Sequence, residues 1–307
     1  MTTTREALGV GIDRLRAAAV DTPRLDAEVL FAYVAGVDRT GILAHPEALV
    51  SDGQLAAFQR VVERRGAGEP VAYIRGMKEF HGLALTVDPR ALIPRPETER
   101  LVDLGLAETM RRLAEGPRQP GALPVRIADV GTGSGAVAVA LAVALRQRRV
   151  PAEDVTILAT DVSADALDLA RENAVSHAVG DRVGFVEADL LPPGSVACDA
   201  VLANLPYVRS ASMSDLPRPT TYEPPSALDG GVDGLTVIAR LLDRLPAALV
   251  PGGVALLEIG ADQGEAIGVL LDDRLPGWPA RVETDLAGLP RVAVISRPPS
   301  GSSDPAP

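Results

Sequence analysis

Residues 125–146, VRIADVGTGSGAVAVALAVALR, decide how this chain is read. Val125–Val130 is short, nearly all apolar and rich in β-branched residues, the pattern of a buried strand. Gly131, Gly133 and Gly135 follow at once, and an apolar run from Val137 to Arg146 predicts a helix. A strand that turns through glycines into a helix is a place to bind something. The glycines allow positive φ and let a ligand come close to the backbone, and the helix start offers unpaired N–H groups. A dinucleotide would place its pyrophosphate there, as in G-x-G-x-x-G. The spacing of Gly131, Gly133 and Gly135 departs from that fingerprint, and the lysine of a phosphate-binding P-loop is missing.

Further strands are predicted at Val155–Thr160, Arg182–Val186, Ala200–Ala203, Val254–Ile259, Ala280–Thr284 and Arg291–Ser296, with a helix over Ala164–Ala174. Strands alternating with helices predict an open α/β sheet of seven strands. In such sheets ligands sit beyond the carboxyl ends of the strands. Asp161 ends the second strand in ILATD, where a carboxylate can accept both ribose hydroxyls of an adenosine. Asp189 ends the third in FVEADLL, bordering an adenine amine, with Leu190 on the base face. Together with the loop Gly131, Thr132, Gly133, Ser134 and Gly135, these point to S-adenosylmethionine as the second ligand that fits.

The fourth strand ends in DAVLANLPYV. Asn204 offers a carbonyl acceptor, Leu205 a backbone carbonyl, and Tyr207 a flat ring, while Pro206 stiffens the turn. That set suits a planar NH₂ group: two acceptors take its hydrogens and the ring packs on its face. Holding both N–H bonds localises the nitrogen lone pair and aims it at an activated methyl. No strong base is needed beforehand, because the nitrogen becomes acidic once methylated.

The remaining sequence sets the surroundings. Residues 1–75 read as a helical bundle, with stripes at Leu8, Ile12, Leu15 and at Leu25, Val29, Ala32, Tyr33, and a capping box at Ser51 and Gln54. Residues 76–95 read as a hairpin and connector, 96–297 as the α/β domain with a helix starting near Glu97, and 298–307 as a disordered Pro/Ser-rich tail. The 307 residues carry 30 Lys and Arg against 41 Asp and Glu, a net charge of −11. With 3% aromatics and no basic block, nucleic acid is not expected as the direct substrate. No stretch has the length of a membrane span, no secretory signal is seen, and the single Cys198 cannot form an internal disulfide; a cytoplasmic location is expected. His45, His81 and His177 are too scattered to suggest a metal site.

Longer motifs then add a family. KEFHGL at 78–83, LIPRPETE at 92–99, DVGTGSGA at 129–136, ATDVS at 159–163, NLPY at 204–207, YEPPSALDGGVDGL at 222–235, LEIG at 257–260 and DLAGLPR at 285–291 are similar to those of the peptide chain release factor glutamine N5-methyltransferases. These are class I S-adenosylmethionine-dependent methyltransferases. The resemblance implies a Rossmann-like, seven-stranded mixed sheet whose last strand is antiparallel, with an N-terminal helical bundle and a connecting β-hairpin. It implies methylation of the glutamine in the GGQ motif of release factors, with release factors as partner. It also implies cofactor contacts from residues 131–135, Asp161, Asp189, Leu190 and Asn204, and a substrate pocket of Asn204, Leu205, Pro206 and Tyr207, joined by Arg95 and Glu223. Leu205 departs from the family's usual Asn-Pro-Pro-Tyr. Asn-Leu-Pro-Tyr resembles the ribosomal RNA adenine dimethyltransferases, so an adenine N6-methyltransferase is the alternative enzyme, and a silent methyltransferase-like binding module the alternative outside enzymes. The N-terminal position of the extra domain, the acidic charge and the flanking motifs favour the first.

Overall fold

The computed structural model describes every residue except 116–122, 193, 195, 286 and 300–307. All but the first two residues of the tail expected to be disordered therefore lie outside the described residues. The chain divides into two compact units, residues 1–77 with 216–223, and residues 78–215 with 224 onward.

The first unit contains β1 (Thr2–Thr3), α1 (Thr4–Ala17), α2 (Pro23–Ala35), α3 (Arg39–Ala44), β2 (Leu49–Val50), α4 (Asp52–Gly66) and α5 (Val71–Arg75). The Ser51–Gln54 capping box starts α4, and a second, Thr3–Glu6, starts α1. Leu15, Leu30, Phe31, Phe58 and Val62 fill the core. The stripe expected on α2 is displaced: Leu25 and Tyr33 are 43% and 49% exposed. The buried face instead carries Asp26, Ala27, Leu30 and Phe31. The cause is a second apolar set at helical spacing, Ala27, Leu30, Phe31 and Val34, which packs into the core together with Ala32 of the expected stripe; Arg65 of α4 meets Asp26 on that face at 2.6 Å. Residues 216–223 return to this unit, where the Tyr222 hydroxyl donates to the Ala67 carbonyl at 3.2 Å.

The second unit, from Lys78, takes in all but the first residue of the hairpin β3 (Met77–Phe80) and β4 (Leu83–Thr86), closed by His81 and Gly82 in left-handed conformation. A 3₁₀ turn over Pro96–Thr98 leads into α6 (Glu99–Ala114). Then come β5 (Val125–Val130), α7 (Ala136–Gln147), β6 (Val155–Asp161), α8 (Ala164–Ser176), β7 (Val183–Glu187), β8 (Cys198–Ala203), α9 (Thr236–Leu242), α10 (Leu245–Ala248), β9 (Leu249–Glu258), α11 (Gly264–Arg274), β10 (Ala280–Thr284) and β11 (Pro290–Ser296). The seven-stranded sheet has the order β10-β11-β9-β8-β5-β6-β7, with β11 antiparallel to both neighbours. This is the mixed class I methyltransferase sheet. Strand β9 begins earlier than the apolar run predicts, because Leu249 pairs with Cys198 before the register shifts. Helix α7 is buried along Ala136–Leu145, which explains a helix with no polar face until Arg146.

The chain leaves β5 toward β6 and β7 on one side, then crosses to β8 on the other. The carboxyl ends of β5 and β8 thus border the point where strand order reverses, the usual crevice of such sheets.

Candidate active site

The loop after β5 is pinned by its own backbone. The N–H groups of Gly131 and Thr132 both donate to the Thr160 carbonyl at 2.9 Å, tying the loop to β6. Asp129 Oδ2 accepts from Thr132 Oγ1 at 2.6 Å and from the Ala138 N–H at 3.1 Å, so it holds both loop and helix start. Burial pushes the Asp129 carboxyl up to about 6. Gly135 caps α7 at φ 79, and a Cβ there would stand 2.9 Å from the Ala170 Cβ of α8. Only glycine meets both conditions.

Asp161 closes β6 beside this loop. Its two oxygens accept from the Gly133 N–H at 2.9 Å and the Ser163 N–H at 3.0 Å. Burial raises its carboxyl above the ordinary range against the pull of those N–H groups. Each carboxylate oxygen has a further lone pair, so the group can still accept from a ligand. Asn173 of α8 braces the loop from behind: its amide donates to the carbonyls of Thr86 and Ser134 at 3.0 and 2.9 Å and accepts from the Thr86 N–H at 2.8 Å.

At the tip of β8, the Asn204 Nδ2 donates to Thr98 Oγ1 at 2.9 Å. This uses the nitrogen side of the amide and leaves Oδ1 as an acceptor. Leu205 is buried in the core beside Leu190. The Tyr207 hydroxyl reaches Glu258 Oε1 at 3.5 Å, and burial pushes that phenol up to about 12. The Tyr207 carbonyl accepts from Gln263 Nε2 at 3.1 Å, and Val208 exchanges hydrogen bonds with Leu228 and Gly230 at 2.9 and 2.8 Å. The long motif at 222–235 thereby clamps the exit from NLPY.

The two tips share one cavity of about 320 Å³. Of the residues expected to bind cofactor, Gly131, Thr132, Gly133, Ser134, Asp161, Asp189, Leu190 and Asn204 line it, as do Leu205, Pro206 and Arg95 of the expected substrate pocket. Gly135 stands behind the wall, shaping the turn. Tyr207 is not among the lining residues and faces Glu258; Pro224 lines the cavity, and Glu223 belongs to the first unit, where it is buried. Asp189 is paired with Arg240 of α9 and lies 3.7 Å from Arg244, so its carboxylate is already engaged at the rim. Leu190 takes a left-handed backbone, φ 65, and its carbonyl accepts from Thr160 Oγ1 at 2.7 Å. His81 is a hairpin residue whose ring meets Asp103 at 3.1 Å.

Sequence reasoning missed Thr98, Asn173, Arg240 and Glu258 as parts of this site. Thr98 and Glu258 stood inside the longer motifs, but nothing in their local spacing pairs them with Asn204.

Residues 6–76 match the model of the PrmC N-terminal domain, and residues 110–216 that of the methyltransferase small domain. A release factor glutamine methyltransferase of Moorella thermoacetica is 40% identical over 86% of this chain and 88% of its own. One of Deinococcus radiodurans is 39% identical over 95% and 98%. Among solved structures, the human hMettl16 catalytic domain, in complex with a 3′UTR hairpin, covers 90% of this chain and 95% of its own with a TM-score of 0.54 at 15% identity, a likeness of fold. No described helix is long and apolar enough to cross a membrane.

Proposed function

The chain belongs to the release factor glutamine methyltransferases, and from that premise we propose that it moves a methyl group from S-adenosyl-L-methionine to the side-chain amide nitrogen (N5) of the glutamine in the GGQ motif of peptide chain release factors. One observation carries the reading: a ribose-type carboxylate, Asp161, and a tethered amide acceptor, Asn204, line the same cavity.

The donor set fits the cofactor. Asp161 has acceptor capacity left for a ribose diol, Leu190 supplies an apolar surface for a base, and the loop 131–135 supplies a close backbone. Bound there, S-adenosyl-L-methionine provides a sulfonium-activated methyl. The protein's own part is positioning. Asn204 Oδ1 and the Leu205 carbonyl accept the two N–H bonds of the glutamine amide, Pro206 stiffens the turn, and Tyr207, held through its hydroxyl to Glu258, braces that turn from outside the cavity. Arg95, on the cavity wall, meets the partner segment. Orientation of this kind contributes several kcal/mol. Leu205 supplies the same backbone carbonyl that proline would. The helical unit, residues 1–75, docks the release factor, and the reaction takes place in the cytoplasm.

Asn-Leu-Pro-Tyr carries a second reading, an adenine amine as acceptor. Incubating the chain and methyl-labelled cofactor with a release factor, and separately with ribosomal RNA, distinguishes them by mass spectrometry. Label on the GGQ glutamine supports the proposal. Label on adenine overturns it, and label on neither returns the chain to a silent binding module.

A further inference from the structure

Leu190 lies on the cavity wall just after β7 and carries a left-handed backbone, φ 65. Glycine takes that region without strain. A leucine is sterically strained there, and such a residue persists only where its surroundings hold it. Here three consecutive carbonyls of the turn are each tied down. That of Asp189 accepts from Arg244, that of Leu190 from Thr160 Oγ1 at 2.7 Å, and that of Leu191 from Arg244 at 3.1 Å. The Ala188 N–H, where the chain enters the turn, donates to the Asp161 carbonyl at 2.9 Å.

Thr160 is the inner of the two supports and is fully buried. A buried hydroxyl is destabilising unless it is hydrogen-bonded, and a residue serving the core alone would be valine. The hydroxyl has its partner in Leu190. The main-chain carbonyl of the same residue accepts from the N–H groups of Gly131 and Thr132, both at 2.9 Å. Thr160 therefore grips two walls of the cavity by different atoms: the loop after β5 through its backbone and the turn after β7 through its side chain. It is not itself among the residues that line the cavity.

We propose that Thr160 is a positioning residue for cofactor binding. Its hydroxyl, with Arg244 working from the surface, holds Leu190 in the left-handed conformation that sets the apolar wall for the adenine against the loop 131–135. The inference rests on the reading of the cavity as the S-adenosyl-L-methionine site and adds to it residues that act through the turn. Substitution by valine isolates the hydroxyl, because the carbonyl that holds the loop is kept. The turn then loses its inner support, and Leu190 is free to relax toward negative φ and move its side chain off the wall.

The test titrates the full chain with S-adenosyl-L-homocysteine by calorimetry and follows methylation of a release factor with labelled cofactor. Thr160→Val is expected to weaken S-adenosyl-L-homocysteine about fivefold and to raise the KM for the methyl donor by a similar factor, with the loss falling in KM rather than kcat. Thr160→Ser keeps the hydroxyl and should bind within about twofold of wild type. Leu190→Gly should bind more weakly, because the apolar face is gone. Glycine needs no support at this φ, so adding Thr160→Val to it should cost less than about 1.5-fold more. Arg244→Gln, which loosens the same turn from outside, should weaken binding about threefold. A threonine serving stability alone would lower the urea midpoint of Thr160→Val and leave its affinity unchanged. Unchanged affinity in Thr160→Val, losses that multiply in the Leu190→Gly background, or a loss confined to kcat would each overturn the inference. If Thr160→Val does not fold, Arg244→Gln decides, and unchanged affinity there overturns it. A wild type that binds no S-adenosyl-L-homocysteine overturns the reading of the cavity, and the inference with it.

Discussion

The tips of β5 and β8 border one cavity and are built on opposite plans. At β5 the geometry is backbone: Gly131 and Thr132 hang on the Thr160 carbonyl, Gly133 on Asp161, and Gly135 occupies a left-handed cap. At β8 it is side chain: Asn204 depends on Thr98, 106 positions away in sequence, and Tyr207 on Glu258, 51 positions away. A tip made of backbone is rigid because its conformation is the only one its residues allow. A tip made of side chains is only as fixed as the hydrogen bonds that orient it. The cofactor side of this enzyme should therefore resist single substitutions at the substrate side, and the reverse should hold as well.

The sharpest way to break that contrast is Asn204→Ala. Turnover should fall about a hundredfold or more, the scale of losing a fixed polar group that orients the reacting atom. Cofactor affinity, measured by calorimetry, should move by less than about threefold, because the loop after β5 is untouched. If affinity collapses along with turnover, the two tips are one structure and the contrast is wrong.

Next in size is a pH effect on stability. Glu258 titrates at about 7 in the folded chain, above its ordinary 4.5. Below pH 4.5 both folded and unfolded states carry its proton and nothing is lost. As pH rises through 7 the unfolded chain releases the proton first, so stability falls and the loss is complete above 7. Glu258→Gln removes the cost. Its stability advantage over wild type should grow by up to about 3 kcal/mol between pH 4.5 and 8, as read from urea unfolding curves. A variant more stable than wild type at pH 8 is what a carboxylate buried at a cost predicts. An advantage that stays flat with pH would place the carboxylate in water-like surroundings, against its burial.

The same contrast explains what could be read from sequence. The glycine loop, Asp161 and the seven strands were legible because each is set by residues within a few positions: glycines at a strand end, apolar runs of strand length, a carboxylate after β6. Asn204 to Tyr207 were legible as a chemical set, but not their support. Thr98 looked like part of a helix start, and Glu258 like the end of a strand, because the sheet order that brings them to Asn204 is a property of the whole fold. Asp189 shows the other limit. Its place at the end of β7 was readable; its pairing with Arg240 of α9 was not, since nothing near it in sequence announces the partner. In α2 two apolar sets at helical spacing competed, and the one carrying Ala27, Leu30 and Phe31 took the core in place of Leu25 and Tyr33.

Asp161→Ala tests the backbone-built side. It removes the proposed ribose acceptor and also releases the Gly133 and Ser163 N–H groups. Cofactor affinity should weaken by about 1.5–3 kcal/mol, the range for losing a charge-assisted hydrogen bond. At saturating cofactor, kcat should stay within about threefold, since no group at the β8 tip depends on Asp161. A loss confined to kcat would reverse the assignment of the two tips.

The smallest expected effect lies where the two plans touch. Leu205 stands where the resemblance read from the sequence implies a proline, and its side chain reaches the β5 loop: a Cβ added to Gly131, itself at φ 72, would lie 3.0 Å from Leu205 Cδ2. Leucine gives up the ring's rigidity and gains a buried side chain, 5% exposed, packed in the same cluster as Val130, Leu190 and Ala203. Leu205→Pro should therefore exchange one kind of stiffness for another. The ring lowers the unfolded chain's entropy by about 0.4–1 kcal/mol, and losing the leucine's reach costs about 1 kcal/mol of packing, so stability should shift by no more than about 1 kcal/mol in thermal unfolding. The carbonyl proposed to accept the substrate amide is kept, and proline favours an extended conformation at Asn204, so kcat should change by less than about threefold. A large gain in kcat would mean that packing against the β5 loop does not hold the β8 tip still. A large loss would mean that the β8 tip depends on that loop, and that its side-chain network is not sufficient by itself.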